Sequence, residues 1–150
     1  MPMNYTLSLL YKCNSRCKTC NIYEKSADEL TVEEYRKIFR SIGKTPYWVT
    51  LSGGEPFLRN DIVDICRELY NICRPKIINI PTNGILTKII AEKVAQIASH
   101  CKKSDIIINL SIDGIGEQHD EIRNVPGNYD KVIKTYKALR KLEHKNLSVG

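Results

Sequence analysis

Short apolar runs and longer stretches with apolar residues every third or fourth position alternate along this chain from Tyr5 to its end. The runs Tyr5 to Tyr11, Tyr47 to Leu51, Lys76 to Ile80 and Asp105 to Ile112 predict four strands, and Leu147 to Gly150 begins a fifth. Between them, four sets recur at helical spacing: Val32, Tyr35, Ile38, Phe39, Ile42; then Ile62, Ile65, Cys66, Leu69, Cys73. The third is Ile90, Val94, Ile97, Ala98, and the fourth Val132, Ile133, Tyr136, Leu139, running to about Leu142 with Lys131, Lys134, Lys137 and Lys141 projecting elsewhere. Thr31 with Glu34 predicts a capping box and Gly43 a helix end. Thr87 and Asn128 are expected as N-caps. Pro81-Thr82-Asn83-Gly84 is expected to break the third strand, and Glu117, His119, Asp120 and Arg123 to lie in a polar connection.

Strand, polar turn and helix, four times over, predict an α/β protein with a parallel sheet and right-handed crossovers, either an open sheet or a barrel. In both, ligands collect at the carboxyl ends of the strands. Each strand here is followed there by distinctive chemistry. After the first comes Cys13-Asn14-Ser15-Arg16-Cys17-Lys18-Thr19-Cys20, after the second Ser52-Gly53-Gly54-Glu55-Pro56. Pro81-Thr82-Asn83-Gly84 follows the third and Ser111-Ile112-Asp113-Gly114 the fourth. Each alone has a structural explanation as a turn, and their convergence on one rim carries the functional argument.

The first of these has three thiols at C-x3-C-x2-C spacing. Thiolates suit zinc or iron-sulfur clusters, and a closed structural zinc site takes four ligands. Three cysteines on three irons of a cubane leave the fourth iron for a small molecule; a zinc site completed by a distant His or Cys is the alternative. Cys66, Cys73 and Cys101 lie on helical faces or ends and read as core thiols. Composition adds little: 150 residues, 42% hydrophobic and 27% charged, describe an ordinary single domain with a core. The N-terminus lacks an export signal and no apolar run could span a bilayer, so a reducing cytoplasm is expected, with no membrane partner. The net charge of +6 is dispersed, which reads as solvated surface rather than a nucleic-acid face.

Together these motifs resemble the N-terminal part of the radical S-adenosylmethionine (radical SAM) enzymes, a family built on a parallel (β/α) partial TIM-like barrel. The branch that it resembles includes peptide-maturing (SPASM-type) and molybdopterin-type members. The resemblance implies that Cys13, Cys17 and Cys20 carry a [4Fe-4S] cluster. It places the amino group of S-adenosylmethionine on the backbone of Gly53, Gly54, Glu55 and Pro56, and the ribose hydroxyls or neighbouring atoms at Ser111 and Asp113. Arg123, in His119-Asp120-Glu121-Ile122-Arg123, would reach the cofactor carboxylate, with Asn83 beside cofactor or substrate and His119 structural. A carboxylate can accept from two adjacent hydroxyls and a guanidinium fork matches a carboxylate, so the chemistry is consistent.

By the same resemblance, reductive cleavage of the cofactor yields a 5'-deoxyadenosyl radical that abstracts hydrogen from a substrate, peptide or small molecule. No catalytic residue is assigned. An external low-potential donor such as flavodoxin or ferredoxin is implied. Thr19 departs from the aromatic usual before the last cysteine, so adenine would rest on backbone or on Ile22 and Tyr23. Residues 1–150 are expected to form the core domain, incomplete at its C-terminus, with four β/α units and a fifth strand where the family has about six. A cluster- and cofactor-binding fragment without turnover is the further alternative, beside the zinc-binding structural domain.

Overall fold

The computed structural model describes residues 3–150. Five strands are laid down in chain order: β1 Asn4–Ser8, β2 Trp48–Ser52, β3 Ile77–Thr82, β4 Asp105–Leu110 and β5 Leu147–Val149. They form one parallel sheet in the spatial order β1-β2-β3-β4-β5. A doubly wound sheet reverses its order at a switch point, whereas a barrel adds each strand beside the last. The uninterrupted order therefore makes this sheet a segment of barrel wall, which the hydrophobic pattern had left open.

Helices α1 Val32–Ile42, α2 Ile62–Cys73, α3 Thr87–His100 and α5 Asn128–Arg140 cross between strands, and a short α4, Glu117–Arg123, precedes α5. Alternate strand residues, Val49, Leu51, Ile78, Ile80, Ile106 and Ile108, share one core with the helix residues Phe39, Ile65, Leu69, Ile90, Val94, Ile97 and Leu139. Each such fully buried apolar side chain contributes about 1.5–3 kcal/mol. Cys66, Cys73 and Cys101 are buried in this core as free thiols, as the helical spacing predicts.

The opposite sheet face mixes Trp48, Ile77, Pro81 and Ile107 with a polar ladder. Asn109 donates from Nδ2 to Asn79 Oδ1 at 2.8 Å, and Asn79 donates to Thr50 Oγ1 at 3.3 Å. The Trp48 indole N–H reaches the same hydroxyl at 2.9 Å. This ladder crosses three strands on the side that a barrel would enclose.

Several local expectations are corrected. β1 ends at Ser8 rather than Tyr11, and β4 at Leu110 rather than Ile112, because the chain turns toward the rim earlier. β3 continues through Pro81 to Thr82. Its pairing with β2 has already stopped at Asn79, so the missing proline N–H removes no ladder bond on that side. Thr87 is the first residue of α3, not its cap; its hydroxyl meets Thr135 Oγ1 at 2.7 Å. The connection carrying His119 is helical. Asn128 begins α5 without capping it, and Asp120 performs that task, accepting from Gly127 N at 2.5 Å and Tyr129 N at 2.7 Å. On α5 the buried stripe is Val132, Thr135 and Leu139, while Tyr136 is exposed. Among the described residues no helix is long and apolar enough to cross a membrane.

Candidate metal and cofactor site

Beyond β1 the chain runs through buried Leu9 and Leu10 into the cysteine loop. Pairing with the β2 side persists past the strands: Leu9 N donates to Ser52 O at 2.9 Å, Gly54 N to Leu10 O at 2.9 Å, and Glu55 N to Lys12 O at 3.0 Å. A Cβ on Gly53 would collide with the Leu10 carbonyl, and one on Gly54 with the Lys12 carbonyl; Gly53 also sits at φ +125°. The glycines thus let the two loops lie backbone against backbone. Gly54 N and Glu55 N are engaged in these contacts, and an ammonium is a donor, so only carbonyls of this loop can serve a ligand amino group.

Cys13, Cys17 and Cys20 line one cavity of about 210 Å³ together with Ser52, Gly53, Gly54, Asn83, Ser111 and Arg123. Thr19 and Ile22 also face it. Each sulfur has a donor nearby. Asn83 Nδ2 lies 3.8 Å from Cys13 Sγ, Arg123 Nη1 3.6 Å from Cys17 Sγ, and Ile22 N 3.5 Å from Cys20 Sγ. Burial, with a smaller contribution from the Glu55 carboxylate, pushes the Cys13 thiol above its ordinary value, against a backbone hydrogen bond from Ser15. A coordinating metal deprotonates such a thiol outright. Among the described residues no three His, Cys, Asp or Glu side chains converge on a single ion position.

Glu55 is fully buried and turned away from this cavity. Its carboxylate accepts from Thr82 Oγ1 at 2.8 Å, Asn83 N at 2.8 Å and Phe57 N at 3.1 Å. Desolvation raises its pKa, and these three bonds oppose the rise. Glu55 therefore braces the β2 loop against the end of β3. Pro56, also buried, opens a single 3-10 turn, Pro56–Leu58. Asn83 is held by Ile85 N on its Oδ1 at 3.1 Å and donates to Asn14 Oδ1 at 2.6 Å, tying the third rim loop to the first.

The fourth loop closes the site through α4. Lys18 N donates to Ile122 O at 2.8 Å and Ser15 Oγ to Arg123 O at 2.9 Å, so the cysteine loop is docked on the last turn of that helix. Arg123 lies 2.5 Å from Asp113 Oδ2 through Nε, close but out of line for a hydrogen bond. Behind them His119 is buried and accepts from Asp113 N on Nδ1 at 3.2 Å. Burial, then the Arg123 charge, lowers its pKa, which keeps the imidazole neutral and able to accept.

The structure thus gathers Cys13, Cys17, Cys20, Gly53, Gly54, Asn83, Ser111 and Arg123, with Asp113 joined through Arg123, and turns the side chains of Glu55 and Pro56 into the core. Sequence reasoning missed Arg59. Its buried guanidinium holds Asp61 in a two-pronged pair at 2.8 Å and donates to Leu9 O at 3.0 Å and Leu30 O at 2.7 Å, clamping both ends of the cysteine segment. The only local signal was an Arg-x-Asp spacing. Ser15 and Thr82 were missed for the same reason: their partners are distant in sequence.

The family model for the radical SAM superfamily matches residues 7–150. The chain belongs to the radical SAM superfamily. Its members use a [4Fe-4S] cluster and S-adenosylmethionine, and the donor set fits both groups: three thiols with nearby N–H donors, and the Arg123 guanidinium lining the same cavity. The pre-heme d1 synthase of Dinoroseobacter shibae is 33% identical over 95% of this chain and 34% of its own length. The GTP 3',8-cyclase of Clostridium perfringens is 32% identical over 85% of this chain and 39% of its own. The chain therefore spans between a third and two fifths of these radical SAM relatives. In fold it is similar to Streptococcus suis SuiB bound to S-adenosylmethionine, with a TM-score of 0.78 at 20% identity, over 99% of this chain and 33% of that one.

Proposed function

We propose that this chain is the core of a radical SAM enzyme in which Cys13, Cys17 and Cys20 ligate the cluster. The four rim loops that line the cavity would hold S-adenosylmethionine beside the cluster. When bound, cluster and cofactor supply one-electron chemistry: cleavage of the sulfonium to methionine and a 5'-deoxyadenosyl radical, which takes hydrogen from the substrate. One observation carries the reading: three thiols, each with a nitrogen donor close by, share a cavity with two glycines and a half-buried guanidinium.

The chain's own residues bind and position. Carbonyls of the Gly53-Gly54 loop accept the cofactor ammonium. Arg123 receives its carboxylate through the terminal N–H groups of the fork, which lines the cavity while Nε faces Asp113. Ser111, and Asp113 beside Arg123, would serve the ribose end, and Asn83 lines the same cavity. Glu55 and Arg59 hold the two loops in register from behind. The ladder of Thr50, Asn79 and Asn109 on the inner face presents uncharged donors and acceptors to the substrate.

Among the neighbours, SuiB is known bound to its precursor peptide, and a relative is named for cyclising GTP. The proposed substrate is accordingly a peptide or a small molecule. A low-potential flavodoxin or ferredoxin is the proposed electron source. Anaerobic reconstitution followed by dithionite and S-adenosylmethionine tests the reading, with methionine and 5'-deoxyadenosine as the expected products. A loaded cluster that binds the cofactor without cleaving it would reduce the chain to a binding fragment. Zinc in place of iron would overturn the assignment.

A further inference from the structure

We infer that Arg123 sets the reduction potential of the cluster by donating from its guanidinium to Cys17 Sγ, and that Asp113 orients it for this task. The inference rests on the reading of Cys13, Cys17 and Cys20 as cluster ligands.

The three sulfurs are served unequally. Asn83 offers Cys13 an uncharged amide at 3.8 Å, and Ile22 offers Cys20 a backbone N–H at 3.5 Å on the exposed side of the loop. Cys17 alone, among the described residues, meets a cation: Arg123 Nη1 at 3.6 Å. Both partners are shielded from water, Cys17 at 8% exposure and the Arg123 side chain at 16%, so the interaction is weakly screened.

Ser15 sharpens the point. Its hydroxyl lies 3.2 Å from Cys17 Sγ, yet its one hydrogen points to Arg123 O at 2.9 Å. While it does so, Ser15 offers the sulfur only lone pairs. A protonated Cys17 can donate to them, but a thiolate cannot, and the Arg123 N–H is then the donor that remains.

Asp113 Oδ2, 2.5 Å from Nε, holds the guanidinium beside Cys17 by charge, and His119 holds Asp113 through its backbone N–H. A second cation, Arg16, stands one residue from Cys17 but lies over the Tyr23 ring instead of on a sulfur. Reduction adds one electron from a low-potential donor and so one negative charge to the cluster and its thiolates. Donors and positive charge at a ligating sulfur favour that reduced form.

The test is the midpoint potential of the anaerobically reconstituted chain, read by electron paramagnetic resonance during dithionite titration without S-adenosylmethionine. Arg123→Gln is expected to lower the potential, so that the reduced-to-oxidised ratio at the wild-type midpoint falls about tenfold. Arg123→Lys, which keeps the charge without the fork, is expected to fall between, and provides the measurement should the Gln variant fail to take up iron. Arg16→Gln is the control and should leave the midpoint in place. An Arg123 variant that titrates with the wild type, or an Arg16 variant that shifts as far, overturns the inference. Wild-type chain that forms no [4Fe-4S] signal fails the reading of Cys13, Cys17 and Cys20 as cluster ligands instead, so the two failures are distinct.

Discussion

His119 shows how one side chain can support a site without touching its ligands. Buried and neutral, it accepts the Asp113 N–H, and Asp113 in turn faces Arg123. Its pKa lies below the ordinary 6.5. The unfolded chain therefore takes up a proton at a pH where the folded chain still resists it. The stability that His119 contributes is fully present above 6.5 and is lost as pH falls through the lowered folded value. Urea unfolding at pH values stepped across this window should show the midpoint dropping on acidification. His119→Asn, whose side-chain carbonyl can still accept from Asp113, should flatten that drop, and parallel curves for the two proteins would refute the assignment. The sequence marked His119 as structural, and its burial agrees. It could not supply the partner, since the imidazole reaches back six residues across a turn whose shape α4 determines.

Helices differ in how much of their ends is local. In α1 the Thr31 and Glu34 side chains each serve the other's backbone N–H, and Gly43 closes the helix at φ 67°, so three nearby residues suffice. Thr31→Ala should cost about 1 kcal/mol, measured by chemical denaturation, with cluster uptake unchanged. No loss at all would mean that the cap is redundant with the packing of Tyr35 and Phe39. For α5 the local reading pointed to Asn128, but the acceptor is Asp120, contributed by the preceding helix. Asn and Asp cap equally well in isolation, so only the placement of α4 decides between them. That helix itself has seven residues and a single buried side chain, His119, too little for periodicity to register. It is held by the cysteine loop, through Lys18 and Ser15, as much as by its own sequence.

At the scale of the whole molecule the site is a set of loop-to-loop contacts at one end of a sheet. Gly54 is the closest of them, with no room for a methyl group beside the Lys12 carbonyl. Gly54→Ala should destabilise the fold by about 1–3 kcal/mol in urea titrations and lower the iron retained per chain, since the same contact seats the cysteine loop. Wild-type stability and full iron content would show that the two loops can separate without harm. The alternation of apolar runs and helical stripes was enough to establish a parallel α/β chain, because burial of one face is a local, periodic demand on each segment. The three cysteines and the turn residues after each strand were legible for the same reason, as chemistry written at fixed spacings. What tertiary structure alone decided is the strand order that makes the sheet a barrel wall, the inward brace of Glu55, the Arg59 clamp, and the meeting of Arg123 with Cys17. Those partners lie from 27 to 106 residues apart. Their encounter depends on how the sheet stacks its strands, a property that no window of sequence contains.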